Sequence, residues 1–241
     1  MKRFVDFIIS FLGLLVATPV LVPVMLLVWV QDFKSPFYIA QRVGRDEKQF
    51  KMVKLRSMII NADSSGVDST SSNDARITPI GHIIRKFKLD ELTQLWNVFK
   101  GDMSLVGPRP NVKAETELYT IDEKILLSVR PGITDLSSII FSDEGDILEN
   151  KENPDLAYNQ LIRPWKSRLG LIYIKNQTFL LDIQLILCTV IAIFSRSMAT
   201  TWVTKKLQKL GVDKNIVAIS KREDELYPFP PPGSDKIVEN R

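Results

Sequence analysis

The stretch KFKLDELTQLWNVFKGDMSLVGPRP, Lys86 to Pro110, gathers the residue types that can act on a phosphoryl group. Asp90 and Glu91 are adjacent carboxylates, and Arg85, Lys86 and Lys88 lie just before them. Two readings compete. Acids in the first turn of a helix complement its dipole and need no chemistry. Alternatively, one carboxylate attacks while the other accepts a proton or holds a cation. Adjacent helix positions point about 100° apart, so the pair cannot flank a glycosidic bond from opposite sides. A carboxylate attacking phosphorus is repelled by phosphate unless cations or Mg²⁺ neutralise the target. Mg²⁺ asks for only one or two carboxylates when phosphate oxygens complete its shell. Arg109, held between Pro108 and Pro110, offers a rigid guanidinium fork for a departing phosphate.

Other chemistries are excluded by composition. His82 is the only histidine and Cys188 the only cysteine among 241 residues. A histidine triad, a His-rich zinc site and an internal disulfide are therefore ruled out as the organising chemistry, and His82 reads as structural. A formal charge of +4 and a pI near 9.1 suit anionic lipid or phosphorylated substrates. Nucleic-acid binding is disfavoured, because the basic residues lie beside apolar elements without interleaved stacking aromatics.

The elements that must position these residues follow from periodicity. From His82 to Phe99 a helix is expected, with Leu89, Leu92, Trp96 and Phe99 on an apolar face and Asp90, Gln94 and Asn97 on a polar one. FYIAQRVG and KQFKMVKLRSM alternate as a strand pair. NADSSGVDSTSSNDARITPIG reads as a mobile loop, GDMSLVGPRP and RPGIT as loops, and 111–129 as helix. Phe179–Phe194 is apolar but short, which suits a helix in a membrane interface, the reading favoured here, or a core helix.

The N-terminus carries the longest apolar run. Between Phe7 and Val30 no side chain is charged. Such a run exceeds a signal peptide's usual apolar core, so it is expected to be retained. As a helix it would reach roughly 36 Å, enough to cross a bilayer's hydrocarbon. Pro19 and Pro23 interrupt it, leaving the carbonyls of Leu15 and Pro19 without their usual donors, and Thr18 offers a hydroxyl nearby. Lys2 and Arg3 precede the run; Lys34, Arg42, Arg45, Lys48, Lys51, Lys54 and Arg56 follow it. Basic flanks on both sides are reconciled if both ends emerge on the cytoplasmic side. We therefore expect a re-entrant helix broken at Thr18–Pro19 rather than a kinked spanning one.

The order of these segments resembles the bacterial sugar transferase family, in its small monotopic phosphoglycosyl transferase form. The resemblance rests on KR, an apolar run with internal proline, QRVG, FKMVKLRSM, DARIT, LDELTQLWNVFKGDMSLVGPRP and RPGIT, and covers roughly residues 1–190. It implies an Asp-Glu dyad working with Mg²⁺ on a UDP-sugar. The aspartate takes the phosphosugar covalently and releases UMP. A polyprenyl phosphate, usually undecaprenyl phosphate, then accepts the phosphosugar, the first membrane step of glycan assembly. Carried onto this chain, Asp90 is the nucleophile and Glu91 its partner, both near the metal. Arg109, Lys54 and Arg56 would bind substrate phosphates.

The implied architecture is α+β and monotopic, with a small hairpin and interfacial helices. It divides as 1–34 re-entrant helix, 35–200 catalytic domain and 201–241 extension, partly extended or disordered. The expected place is the cytoplasmic face of a bacterial inner membrane, in contact with the bilayer; homo-oligomerisation stays open. Five positions depart from the family pattern: Thr18 for Ser, Leu55 and Ser57 in the basic strand, Thr93 for Pro, and Asp135 for Gly. None removes a charged residue of the implied mechanism. The competing readings are a glycosyltransferase that releases UDP and a non-catalytic module binding anionic lipid.

Overall fold

The computed structural model describes residues 2–62, 66–67 and 69–240, so the Ser- and Asp-rich loop is covered only in part. The architecture is α+β, mostly helical. Helix α1 (Lys2–Val30) leads into the antiparallel hairpin β1 (Phe37–Val43) and β2 (Gln49–Leu55), with Phe37 opposite Leu55 and Val43 opposite Gln49. Three short helices follow, α2 (Pro79–Lys86), α3 (Leu89–Leu92) and α4 (Leu95–Lys100). Then come β3 (Ser104–Val106), α5 (Lys113–Thr116), β4 (Gly132–Thr134), α6 (Leu136–Ile140), α7 (Glu144–Ile147) and α8 (Pro154–Ala157). The chain closes with α9 (Arg163–Lys175), α10 (Phe179–Phe194), α11 (Arg196–Lys209) and α12 (Lys214–Lys221).

α1 runs without interruption through Thr18 and Pro19. Each proline removes one backbone donor and the flanking bonds carry the helix on. The Thr18 hydroxyl donates to the Leu14 carbonyl at 2.7 Å, rather than to the Leu15 or Pro19 carbonyl. The expected helix from His82 to Phe99 is three pieces: Lys88, left-handed at φ +52°, separates the first two, and a turn at Thr93–Gln94 with helical backbone angles separates the last two. Within 111–129 only α5 and a 3₁₀ segment at Glu123–Ser128 form.

Both Gly/Pro-rich "loops" contribute a strand: β3 and β4 pair in parallel, Ser104 opposite Gly132 and Val106 opposite Thr134. A Cβ added to Gly132 would lie 2.1 Å from the Gly107 amide nitrogen, so this approach demands glycine.

α1 is tied to the rest at both ends. Lys2 Nζ donates to Asp182, to the Tyr173 hydroxyl at 3.1 Å and to the Val106 carbonyl at 3.0 Å. Arg3 donates to the Val98 and Phe99 carbonyls. At the other end, Arg56 bonds Asp32 and donates to the Val28 carbonyl at 3.2 Å. Between them Ala17, Leu21 and Val28 pack with Leu55 and Ile84. The opposite face leaves Phe4, Phe11, Leu15, Val16, Val20 and Leu27 exposed. Among the described residues, α1 is the one helix long and apolar enough to cross a membrane.

The main core joins Val98, Met103, Ile140, Trp165, Tyr173 and Leu185. Inside it Arg163 donates to both oxygens of Glu123, at 3.0 and 2.5 Å, and neither side chain reaches solvent appreciably. Two mutually bonded charges tolerate this burial where one alone would not. The expected division at residue 200 falls inside α11, whose Ala199, Val203 and Leu207 belong to the same core. Residues 223–240 form neither helix nor strand yet pack back on α9. Phe229 stacks on Trp165 at 4.4 Å between ring centroids, and the Thr120 hydroxyl donates to the Pro232 carbonyl.

Candidate active site

The polar face expected on the Asp90 helix turns inward and docks the helix on β2. Asn97 is fully buried. Its Oδ1 accepts from the Val53 amide at 2.9 Å and its Nδ2 donates to the Lys51 carbonyl at 2.7 Å, imitating a neighbouring strand. The Thr93 hydroxyl donates to the Val53 carbonyl at 3.1 Å. The proline common in the family at this position could make no such bond. These three contacts set α3 against β2, and so place Asp90 beside Lys54.

Lys54 Nζ stands 3.5 Å from Asp90 Oδ2. Arg109 Nη2 donates to Glu91 Oε1 at 2.6 Å. Arg109 reaches Glu91 because the β3–β4 pair holds the start of its loop, with the Gly132 amide donating to the Pro108 carbonyl at 3.0 Å. Two acid–cation pairs thus stand side by side on one wall of a cavity of about 710 Å³.

Electrostatics sharpen the arrangement. Burial opposes ionisation of Glu91, but Arg109, Lys88 and Lys54 together outweigh it and hold its pKa down at about 2. Arg109 is held cationic, chiefly by Glu91. Burial pushes the Lys54 ammonium below the usual lysine range; Asp90 opposes the shift and Arg109 adds to it.

Arg56 is not brought to this cavity. It lies just beyond the end of β2, bonded to Asp32 and the end of α1. Its environment makes it an anchor for the apolar helix. Asp135 caps α6 by accepting from the Ser138 amide at 2.7 Å, and it lines the cavity.

Arg42, His82 and the Lys166–Glu144 pair line the same cavity, and none was picked out as a site residue from the sequence. For Arg42 a signal existed. It shares a hairpin face with Lys54, since Arg42 lies opposite Phe50 and Tyr38 opposite Lys54. Lys166 and Glu144 carried no local signal.

Among the described residues, no three His, Cys, Asp or Glu side chains cluster as a self-sufficient metal site. Asp90 and Glu91 still fit Mg²⁺, because adjacent carboxylates on a cavity wall can supply the one or two protein oxygens it needs beside a diphosphate.

The family model for bacterial sugar transferases matches residues 1–196. The chain is 40% identical over 151 residues to the UDP-galactose-lipid carrier transferase of Erwinia amylovora, covering 56% of this chain and 31% of that protein. It is 35% identical over 217 residues to the undecaprenyl-phosphate galactose phosphotransferase of Salmonella typhimurium, covering 83% and 41%. With exopolysaccharide production protein ExoY of Sinorhizobium fredii it shares 39% identity over 153 residues, covering 57% and 68%. The chain thus spans less than half the length of the first two. With its matched segment running from the apolar helix through both acid–cation pairs to α10, this chain belongs to the bacterial sugar transferase family.

Proposed function

We propose that the protein transfers a phosphosugar from a UDP-sugar to undecaprenyl phosphate through a covalent aspartyl intermediate, releasing UMP. The observation that carries this reading is the pairing of Asp90 with Lys54 and Glu91 with Arg109 on one cavity wall. The cavity's volume suits a nucleotide sugar. Names of the Erwinia and Salmonella relatives point to the same donor and acceptor classes.

In the first step an Asp90 carboxylate oxygen attacks the sugar-linked phosphorus. The bond from that phosphorus to the bridging oxygen breaks, and UMP leaves with the oxygen and its electron pair. Lys54 and Arg109 bind the phosphate oxygens and offset their charge as the carboxylate approaches. In the second step a phosphate oxygen of undecaprenyl phosphate attacks the same phosphorus. The bond to Asp90 breaks, the carboxylate is restored, and the lipid carries a diphosphate-linked sugar. Glu91, already ionised and held by Arg109, stays anionic through both steps. Mg²⁺ held by Asp90 and Glu91 would lower the negative charge on the phosphates.

The acceptor's phosphate lies at a membrane surface, so the cavity must lie there too. We place the enzyme on the cytoplasmic face of a bacterial inner membrane, with α1 entering one leaflet and bending near Thr18–Pro19. The anchoring of both α1 ends to one body supports this reading. A spanning helix would carry one end about 30 Å of hydrocarbon away from the Lys2 or Arg56 contacts.

Product identity tests the reaction. Incubation with a UDP-sugar panel and undecaprenyl phosphate should yield UMP in step with lipid-linked sugar; UDP as the nucleotide product would overturn the proposal. The pH profile gives a second check. Lys54 is useful as a cation, which is present below its pKa and lost as pH rises through it. That loss should come at a lower pH than for an ordinary lysine. Lys54→Arg should keep the charge and move the alkaline limb of kcat/KM upward. A limb that stays in place assigns the titration to another group.

A further inference from the structure

A second cavity, of about 640 Å³, lies between α11 and the end of α12. All of its lining residues except Arg196 fall beyond the matched family segment. We propose that it is a binding site for a phosphate group, separate from the catalytic cavity.

Its wall is cationic. Arg196, Lys205, Lys221 and Arg222 line it, with Glu223 the one acid among the lining residues. Arg196 and Arg222 converge on a single carboxylate oxygen, Asp143 Oδ2, at 2.7 and 3.1 Å. One carboxylate therefore serves two guanidinium groups. Lys221 reaches Glu223 only at 3.9 Å, and Lys205 makes no ion pair among the described residues. The positive charge exceeds what the protein supplies to balance it, and an anion is the missing complement.

Hydrogen-bond donors tell the same story independently. Thr200 is 7% exposed and lines the cavity, and its hydroxyl has no partner. The Nε of Arg196 and both Nε and Nη1 of Arg222 are also buried without partners. Buried donors are rarely left so, and all four belong to residues that line this cavity, beside one buried acceptor also without a partner, Asp143 Oδ1. A phosphate offers acceptors on every side and the charge to match. Thr201, Thr204 and Ser197 add hydroxyls around the same space. Arg222 is held in place by its left-handed backbone, φ +57°, and by the Phe141 ring at 5.3 Å, so the fork is pre-set.

The test is a titration of the full chain, in uncharged detergent, with inorganic phosphate. The wild type should bind at two places, the catalytic cavity and this one. Lys205→Glu with Lys221→Glu should lose one equivalent, or weaken it by about tenfold or more, while the other is kept. Both lysines are exposed, so folding is not at issue. The near-isosteric Thr200→Val should weaken the same equivalent. Isotherms that coincide for the wild type and the double variant would overturn the proposal.

Repeating the titration in phosphatidylcholine nanodiscs, with and without phosphatidic acid, separates two sources of the phosphate. If phosphatidic acid abolishes the second equivalent, the ligand is a lipid headgroup. If the equivalent persists, the ligand is soluble. Both results support the site.

Discussion

Asp90→Asn should reduce phosphosugar transfer by about a thousandfold or more, a loss of about 4 kcal/mol of transition-state stabilisation. The change is nearly isosteric and leaves the contacts that dock α3 intact: the Thr93 hydroxyl still reaches the Val53 carbonyl, and Asn97 still spans Lys51 and Val53. The α1 anchors at Lys2, Arg3 and Arg56 are remote from it, so membrane association should match the wild type. An amide has no free anionic oxygen to offer phosphorus, and Lys54 loses the carboxylate 3.5 Å away. Intact-mass analysis separates attack from mere positioning. With UDP-sugar and no acceptor, the wild-type chain should gain one phosphosugar, and Asp90→Asn should gain none. Turnover within tenfold of the wild type, or an adduct that survives the substitution, would remove Asp90 from the nucleophile's role.

The site was legible in the sequence to the extent that it is local. Asp90, Glu91 and Arg109 lie within 20 residues, and their types are ones that could act on a phosphoryl group before any fold is known. The means by which they meet were not legible. Parallel pairing of β3 with β4 joins segments about 28 residues apart, each only three residues long and rich in glycine and proline. No periodicity can appear in so short a strand.

The polar face of Asp90, Gln94 and Asn97 was legible as one stripe, but not that it would be buried against β2. Binary patterning assumes that buried means apolar, whereas Asn97 is buried because its amide completes the edge of β2. Arg56 is a second case. A basic residue two positions from Lys54 looks like part of one phosphate-binding strand. Alternation would keep positions 54 and 56 on one face, but β2 ends at Leu55, and beyond it Arg56 turns to Asp32 and the end of α1. The apolar helix was read correctly in extent, since its run of uncharged residues is continuous and its flanks are basic. The proline-rich tail gave no sign that Phe229 would stack on Trp165, because a contact across more than sixty residues leaves no trace in local composition.

Arg109→Gln should cost about two to three orders of magnitude in kcat/KM. Its guanidinium has two roles that the structure allows to be separated. One is to balance Glu91, to which it donates at 2.6 Å. Removing one partner of a buried charged pair typically costs about 2–5 kcal/mol, much of it from stranding the other charge. The other, in the proposed reaction, is to hold substrate phosphate. If Arg109 only balances Glu91, neutralising both in Arg109→Gln with Glu91→Gln should relieve the stranded charge and recover the donor's KM, with kcat still low because Glu91 is itself proposed to hold Mg²⁺. We expect no recovery, because the phosphate would still lack its fork, and the donor's KM should stay raised. Recovery of KM to within about tenfold of the wild type would reduce Arg109 to a counter-ion.

The acid limb supplies an independent readout. In the wild type Glu91 is ionised down to about pH 2, and the contribution of that charge is lost as pH falls through this value. In Arg109→Gln the burial that opposes ionisation is no longer outweighed by the nearest cation. The Glu91 pKa then rises, and the acid loss of the residual activity should move to higher pH. Arg109→Lys keeps a charge near Glu91 and should leave the acid limb close to its wild-type position. It cannot reproduce the planar fork, so its kcat/KM should stay well below wild type. That combination, a restored limb with unrestored turnover, is the outcome that distinguishes a phosphate-binding guanidinium from a neutralising charge.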